Sequence, residues 1–178
     1  MGDRVSGRTI VAALLTVLAV STMVGCDVLR RPRRVPADLI PVFQAAAAAY
    51  GGGLTPVQLA AQARVESKFN PRAVSHAGAQ GIMQFLPSTW QEVGLDGNHD
   101  GRADPMDPQD AIPSAARYEA RLASLVSGLP GDRISLILAA YNAGPDTVRA
   151  AGGIPDIGET RHYVAKVHSW AGTYAGQL

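Results

Sequence analysis

At 178 residues the chain suits one domain of ordinary size with room for a real hydrophobic core. Its formal net charge of +1 excludes bulk nucleic-acid binding. Apolar residues make up 47%, many of them alanine, and there are 19 glycines but few β-branched runs; this favours short helices joined by glycine and proline punctuation over a sheet protein.

Residues 1–25 are expected to lie outside the fold. Arg4 and Arg8 precede an apolar run at 10–20, and small residues then lead to Gly25 and Cys26, the pattern of an export signal. The run is short for a helix that spans a bilayer. The Gly25-Cys26 pair at its end resembles the lipobox of bacterial lipoproteins, although Met23 stands where leucine is usual. That resemblance implies cleavage before Cys26 and a diacylglycerol on its sulfur. The sole cysteine of the chain cannot form an internal disulfide, and lipidation accounts for its presence. The expectation is an exported lipoprotein of the cell membrane, facing the cell wall. Residues 26–36, with Arg30, Arg31, Pro32, Arg33 and Arg34, would be a solvated tether, drawn to anionic head groups by about 1 kcal/mol per charge near the surface.

From residue 37 to 178 one domain is expected. A first helix is predicted over 36–50, stopped by Gly51, Gly52 and Gly53. Thr55 and Pro56 read as the N-cap and first position of a second, with Gln58 completing a capping box. This helix should end near Phe69 or Asn70, since Pro71 pushes the residue before it out of the α region. Residues 71–80 form a loop, 81–86 lead on, and a helix begun at Pro87 is closed by Gly94. A polar loop fills 96–107. The longest helix runs from Pro108, capped by Asp107, towards Gly128, with Ile112, Ala116, Leu122 and either Leu125 or Val126 inward. Helices over 133–143, 145–151 and 159–174 complete an all-α, or nearly all-α, globule.

Within the second helix Leu59, Ala63 and Glu66 fall at i, i+4 and i+7, so they share one otherwise apolar face. A glutamate in that phase is either a buried, paired structural carboxylate or an acid held in a cleft with a raised pKa. Periodicity alone leaves both open.

Four segments then form an ordered series: Glu66-Ser67 with Asn70-Pro71; 78–87, containing Gly78, Gln80, Gly81, Met83, Gln84 and Phe85; Ala140-Tyr141-Asn142-Ala143-Gly144; and Glu159-Thr160-Arg161-His162-Tyr163-Val164. The series resembles the lytic transglycosylases of the soluble transglycosylase type, glycoside hydrolase family 23, on a lysozyme-like fold. Departures are slight: Ile82 where leucine is common, and Gly158 ahead of Glu159. The resemblance implies a peptidoglycan lytic transglycosylase with Glu66 as the single catalytic acid and base. Glu66 would protonate the oxygen of the β-1,4 bond between N-acetylmuramic acid and N-acetylglucosamine, then accept the proton of the muramoyl C6 hydroxyl as that oxygen attacks C1. The product is a 1,6-anhydromuramoyl end. The resemblance also implies that Tyr163 orients the acid, and that Ser67, Met83, Gln84, Tyr141 and Asn142 line the saccharide subsites. No catalytic cofactor is expected, the partner is the glycan strand, and a monomer suffices.

A hydrolytic muramidase would normally need a second carboxylate facing the first. The other acids are Glu92, the loop aspartates, Asp110, Glu119, Asp132, Asp146, Asp156 and Glu159. None has a context that nominates it; Glu159 is the nearest rival, with a capping role at a helix start as its alternative. A non-catalytic wall-binding lipoprotein is the other rival, which has no use for an acid in an inward phase.

A separate signal lies in 96–107. Asp96, Asn98, Asp100, Gly101, Asp104 and Asp107 occupy positions 1, 3, 5, 6, 9 and 12 of a calcium loop, with Arg102 offering its carbonyl. Asp107 stands where a bidentate glutamate is usual. The expectation is structural Ca²⁺; a polar turn rich in Asx residues is the alternative.

Overall fold

The computed structural model describes residues 34–178. The expected signal, the expected lipidation at Cys26 and the expected tether as far as residue 33 lie outside the described residues. Proline starts most of the helices. α1 spans Ile40–Ala49, shorter than expected at its start, because Pro41 has no N–H to donate and the helix cannot be carried through it from 36. α2 spans Pro56–Ser67 behind Thr55, with both bonds of the capping box formed. It ends sooner than Pro71 alone requires, since Lys68 and Phe69 turn left-handed with φ of 59° and 66°. Burial of Phe69 against Phe43 and Tyr174, at ring centroid distances of 6.4 and 6.1 Å, offsets the cost of that conformation.

α3 follows at Pro87–Val93 and α4 at Pro108–Leu125, the latter capped by the Asp107 side chain. Val126, not Leu125, is the buried residue at its end. α5 is Arg133–Ala143, α6 is Pro145–Ala150 and α7 is Gly158–Tyr174. Among the described residues extended pairing is limited to isolated bridges of Val74 with Gln80 and Gln80 with Phe85. The all-α expectation holds. None of the described helices is long and apolar enough to cross a membrane.

α2 is the centre of the packing. Every residue from Leu59 to Arg64 is buried, because α7, α1 and α4 cover it on successive sides. Alanine at 60, 61 and 63 lets those neighbours approach closely, and Arg64 is accommodated by stacking on Trp170 at 4.7 Å. α5 is held against α7 partly through its cap. The Asp132 carboxylate accepts the Ser135 N–H and hydroxyl at 2.8 and 2.7 Å, and that hydroxyl lies 2.8 Å from His168 Nε2. The carboxylate meets the hydroxyl rather than orienting the imidazole, so this cluster is a helix tie and not a nucleophilic triad.

Candidate active site

The left-handed exit of α2 leaves Glu66 on the last turn, at the mouth of a cleft lined by Gln84, Phe85, Leu86, Thr89, Tyr118, Tyr141 and Asn142. Glu66 is partly buried, and removal from water pushes its carboxyl up to about 7 from an ordinary 4.5. The Tyr163 hydroxyl, donating to Oε1 at 2.6 Å, opposes the rise without cancelling it. The acid is therefore substantially protonated near neutral pH. Tyr163 itself is buried, and its own titration is pushed far up by burial and by the Glu66 charge, so it stays a donor.

Ser67 pins the opposite wall. Its hydroxyl donates to the Ile82 carbonyl at 2.8 Å, with the Ala63 carbonyl at 3.3 Å, which ties the 81–85 turn to α2. Gln84 sits on that turn with φ of 53°, a conformation rare for a residue with a Cβ. Its Nε2 donates to the Ala73 and Gly81 carbonyls at 3.2 and 2.9 Å, leaving Oε1 available to the cleft. Asn142 is set the opposite way. Its Oδ1 accepts the buried Thr160 hydroxyl at 2.8 Å, leaving the amide N–H groups available. Tyr141 donates to the Met83 carbonyl at 2.9 Å and packs between Phe85 and Tyr118.

The structure thus brings Glu66, Gln84, Tyr141 and Asn142 to one cleft, with Ser67 and Tyr163 fixing its walls. Met83 is placed differently from the expectation: its side chain is wholly buried, so it serves through its backbone carbonyl by holding Tyr141. Phe85 is core and packs on Trp90. Glu159, the nearest rival acid, is exposed in the first turn of α7 and does not line the cleft. Thr89 and Tyr118 line it without having been singled out from the sequence. A larger hollow of about 500 Å³ beside α1, lined among others by Val42, Tyr50, Leu95 and Pro113, contains none of these groups.

The model of the transglycosylase SLT domain family matches residues 42–164, which takes in every cleft residue named above. The chain belongs to that family. A peptidoglycan transglycosylase of Escherichia phage T7 is 39% identical over 115 residues, 63% of this chain and 8% of the phage protein. Membrane-bound lytic murein transglycosylase F of Pseudoalteromonas translucida is 34% identical over 112 residues, 60% of this chain and 22% of that protein. The chain therefore spans less than a quarter of the length of these two relatives. Among solved structures, an inactive mutant of the lytic transglycosylase Slt from Pseudomonas aeruginosa superposes with a TM-score of 0.65 at 29% identity, covering 81% of this chain and 25% of that one. The 70 kDa soluble lytic transglycosylase of Escherichia coli gives 0.60 at 27% identity, over 79% of this chain and 24% of that one. The lysozyme-like fold expected from the motifs is the fold observed.

The 96–107 loop reaches the same cleft indirectly. Its frame is Asp110, a wholly buried carboxylate. Asp110 Oδ1 accepts the N–H of Gly97 at 2.8 Å and of Asn98 at 3.4 Å, and Oδ2 that of Asp104 at 2.9 Å. Asp96 accepts the Asp100 and Gly101 N–H groups, Asp100 that of Arg102, and Asp104 that of Met106. Asn98 Nδ2 donates to Asp100 Oδ2 at 3.3 Å and Asp107 Oδ2 at 2.9 Å, so three of the expected ligands meet at one amide. Among the described residues, no three His, Cys, Asp or Glu side chains are gathered as a metal cluster. The loop packs on the Gln84 turn, where a Cβ on Gly81 would stand 1.7 Å from the Pro105 carbonyl oxygen.

Proposed function

We propose that the chain is a peptidoglycan lytic transglycosylase that cleaves the N-acetylmuramic acid–N-acetylglucosamine bond without water. The observation that carries this reading is that Glu66, titrating at about 7, is the sole carboxyl among the residues lining the cleft. A paired-carboxylate hydrolase has no second group to use there. One carboxyl suffices when the substrate supplies its own nucleophile. Glu66 gives its proton to the glycosidic oxygen; the muramoyl C6 oxygen attacks C1; and the Glu66 carboxylate takes the C6 hydroxyl proton, which restores the acid. The fixed amides of Gln84 and Asn142 present one acceptor and one donor, the complement of an N-acetyl group.

Mass spectrometry of the muropeptides released from purified peptidoglycan tests this. Muramoyl ends one water lighter than the reducing form and resistant to borohydride are expected, and Glu66→Gln should abolish release while the protein stays folded. Reducing ends, or an unchanged rate in that variant, would sink the assignment. No release from the parent protein would move the reading to a wall-binding module.

The chain would work outside the cytoplasm, anchored through a lipidated Cys26, in keeping with the export pattern and with relatives described as membrane-bound. Cys26→Ser should move the protein from the membrane to the soluble fraction; retention in the membrane would refute the anchor. The 96–107 loop would take a structural Ca²⁺ through Asp96, Asn98, Asp100, Asp104, Asp107 and the Arg102 carbonyl. All of these are hard oxygen donors, and Asp100 and Asp107 already converge on Asn98. The ion would brace the loop and take no part in the chemistry.

A further inference from the structure

The side of the cleft built by α3 and α4 carries charge that the proposed reaction does not use. Thr89 on α3 and Tyr118 on α4 both line the cleft. At i+3 from each, on the same helix face, stand Glu92 and Arg121. Each charge therefore starts one helical turn, about 5 Å, from a cleft-lining neighbour. The two meet across the gap between the helices, with Arg121 Nη1 3.8 Å from Glu92 Oε2. The gap is fixed beneath them, because Arg117 Nη2 donates to the Val93 carbonyl at 2.8 Å.

As a brace this pair is poor. Its atoms stand beyond hydrogen-bond length and its side chains are 59% and 68% exposed, so it adds little to the fold. Among the described residues Arg121 makes no hydrogen bond, which leaves its whole guanidinium fork open to a ligand. The Tyr118 hydroxyl is also without a protein hydrogen bond, although its ring is held against Tyr141 at 5.8 Å. Burial lifts its titration above the usual 10.0, with Arg121 pulling it back and Glu92 adding to the rise, so it stays a donor at neutral pH. A guanidinium and a phenol O–H on one helix face, both donors and both beside a cleft, suit a carboxylate. The N-acetyl sugars of a glycan strand are neutral there. The peptide stems on the muramoyl lactyl groups are not, since a stem ends in a carboxylate. Leu86, exposed on the cleft wall just before α3, adds an apolar surface for the aliphatic part of a stem.

We propose that Arg121 and Tyr118 bind a carboxylate of the peptide stem carried by a muramoyl residue in the cleft, and that Glu92 holds Arg121 until the stem displaces it. The site makes the protein choose peptide-bearing strand over bare glycan. The inference rests on the reading of the cleft as a peptidoglycan site and deepens it.

The test is calorimetric titration of the full chain carrying Glu66→Gln, which leaves the strand uncut, with two tetrasaccharide fragments of peptidoglycan. One keeps its peptide stems; an amidase has stripped the other back to the lactyl carboxylate. Arg121→Ala should weaken binding of the stem-bearing fragment by about three- to tenfold and leave the stripped one unchanged. Tyr118→Phe, which keeps the ring packing, should act on the same fragment by about two- to fivefold. Glu92→Gln should tighten that fragment by about twofold, because it removes the competitor for Arg121. A purely structural ion pair would give the same sign from both of its ends and no difference between the fragments, which would overturn the proposal. Equal losses on the two fragments would put Arg121 on the sugar or the lactyl group and overturn it as well. Binding of neither fragment by the parent protein would defeat the proposed function along with this inference. Binding of both without regard to Arg121 would defeat the inference alone.

Discussion

Gln84 and Asn142 carry the same functional group, yet the fold turns them in opposite senses by occupying opposite ends of each amide. Glu66 is treated with the same economy, and at a cost to the fold. Its carboxyl takes up a proton at about 7 in the folded chain against 4.5 ordinarily, so between those values the folded state binds more protons than the unfolded one. The contribution is intact below about 4.5 and is lost as pH rises through about 7. Glu66→Gln is neutral throughout and removes that loss. At pH 8 the variant should be more stable than the parent by about 2 kcal/mol, a figure reduced for the water that reaches the partly open side chain. At pH 4 the two should coincide. Calorimetry at both values is decisive, because a stability difference that does not change with pH would mean that Glu66 is not held protonated by its surroundings.

At the scale of the element, the prolines at 56, 87, 108 and 145 marked helix starts legibly because each sits where a missing N–H costs nothing. The exit of α2 was less legible, since nothing local in Lys68 and Phe69 announces left-handed backbone; tertiary burial of Phe69 decides it. The phase argument that singled out Glu66 applies equally to Glu119, which follows Ile112 and Ala116 at i+7 on the inward face of α4. What no phase could tell is that Glu66 reaches the cleft while Glu119 is wholly buried. Asp110 was hidden for another reason: its partners are backbone N–H groups of a loop, which leave no trace in side-chain pattern. That loop sets the calcium prediction. With Asp110 already bonding Gly97, Asn98 and Asp104, the loop holds its shape through protein bonds, and an ion would add to them by binding the folded state alone. Added calcium should therefore raise the melting temperature by a few degrees, about 1–2 kcal/mol. Asp100→Ala should abolish the rise. A parent protein indifferent to calcium would leave the loop as an Asx-rich brace for the Gly81 turn.

At the scale of the whole molecule, the cleft depends on α2 being enclosed by α7, α1 and α4, and the two ends of the domain are also fastened together. Val35, expected within the solvated 26–36 tether, is instead buried, and its N–H donates to Gln177 Oε1 at 3.1 Å, joining it to the segment after α7. α7 in turn carries Tyr163 and packs along α2 more extensively than any other helix. The fastening lies one residue outside the first helical signal in the sequence, so a chain begun at Pro36 looks complete on pattern but lacks it. Such a chain gives up the burial of one valine and one partly buried hydrogen bond, together about 2 kcal/mol. Compared with a chain begun at Arg34, its melting temperature should fall by about 4–8 °C. Val35→Ala in the longer chain should give part of the same drop, since it trims the side chain and keeps the N–H. Fluorescence melts of the three proteins measure this directly, and equal melting temperatures for the chains begun at Arg34 and Pro36 would show that α7 is held against α2 without help from the N-terminal residue.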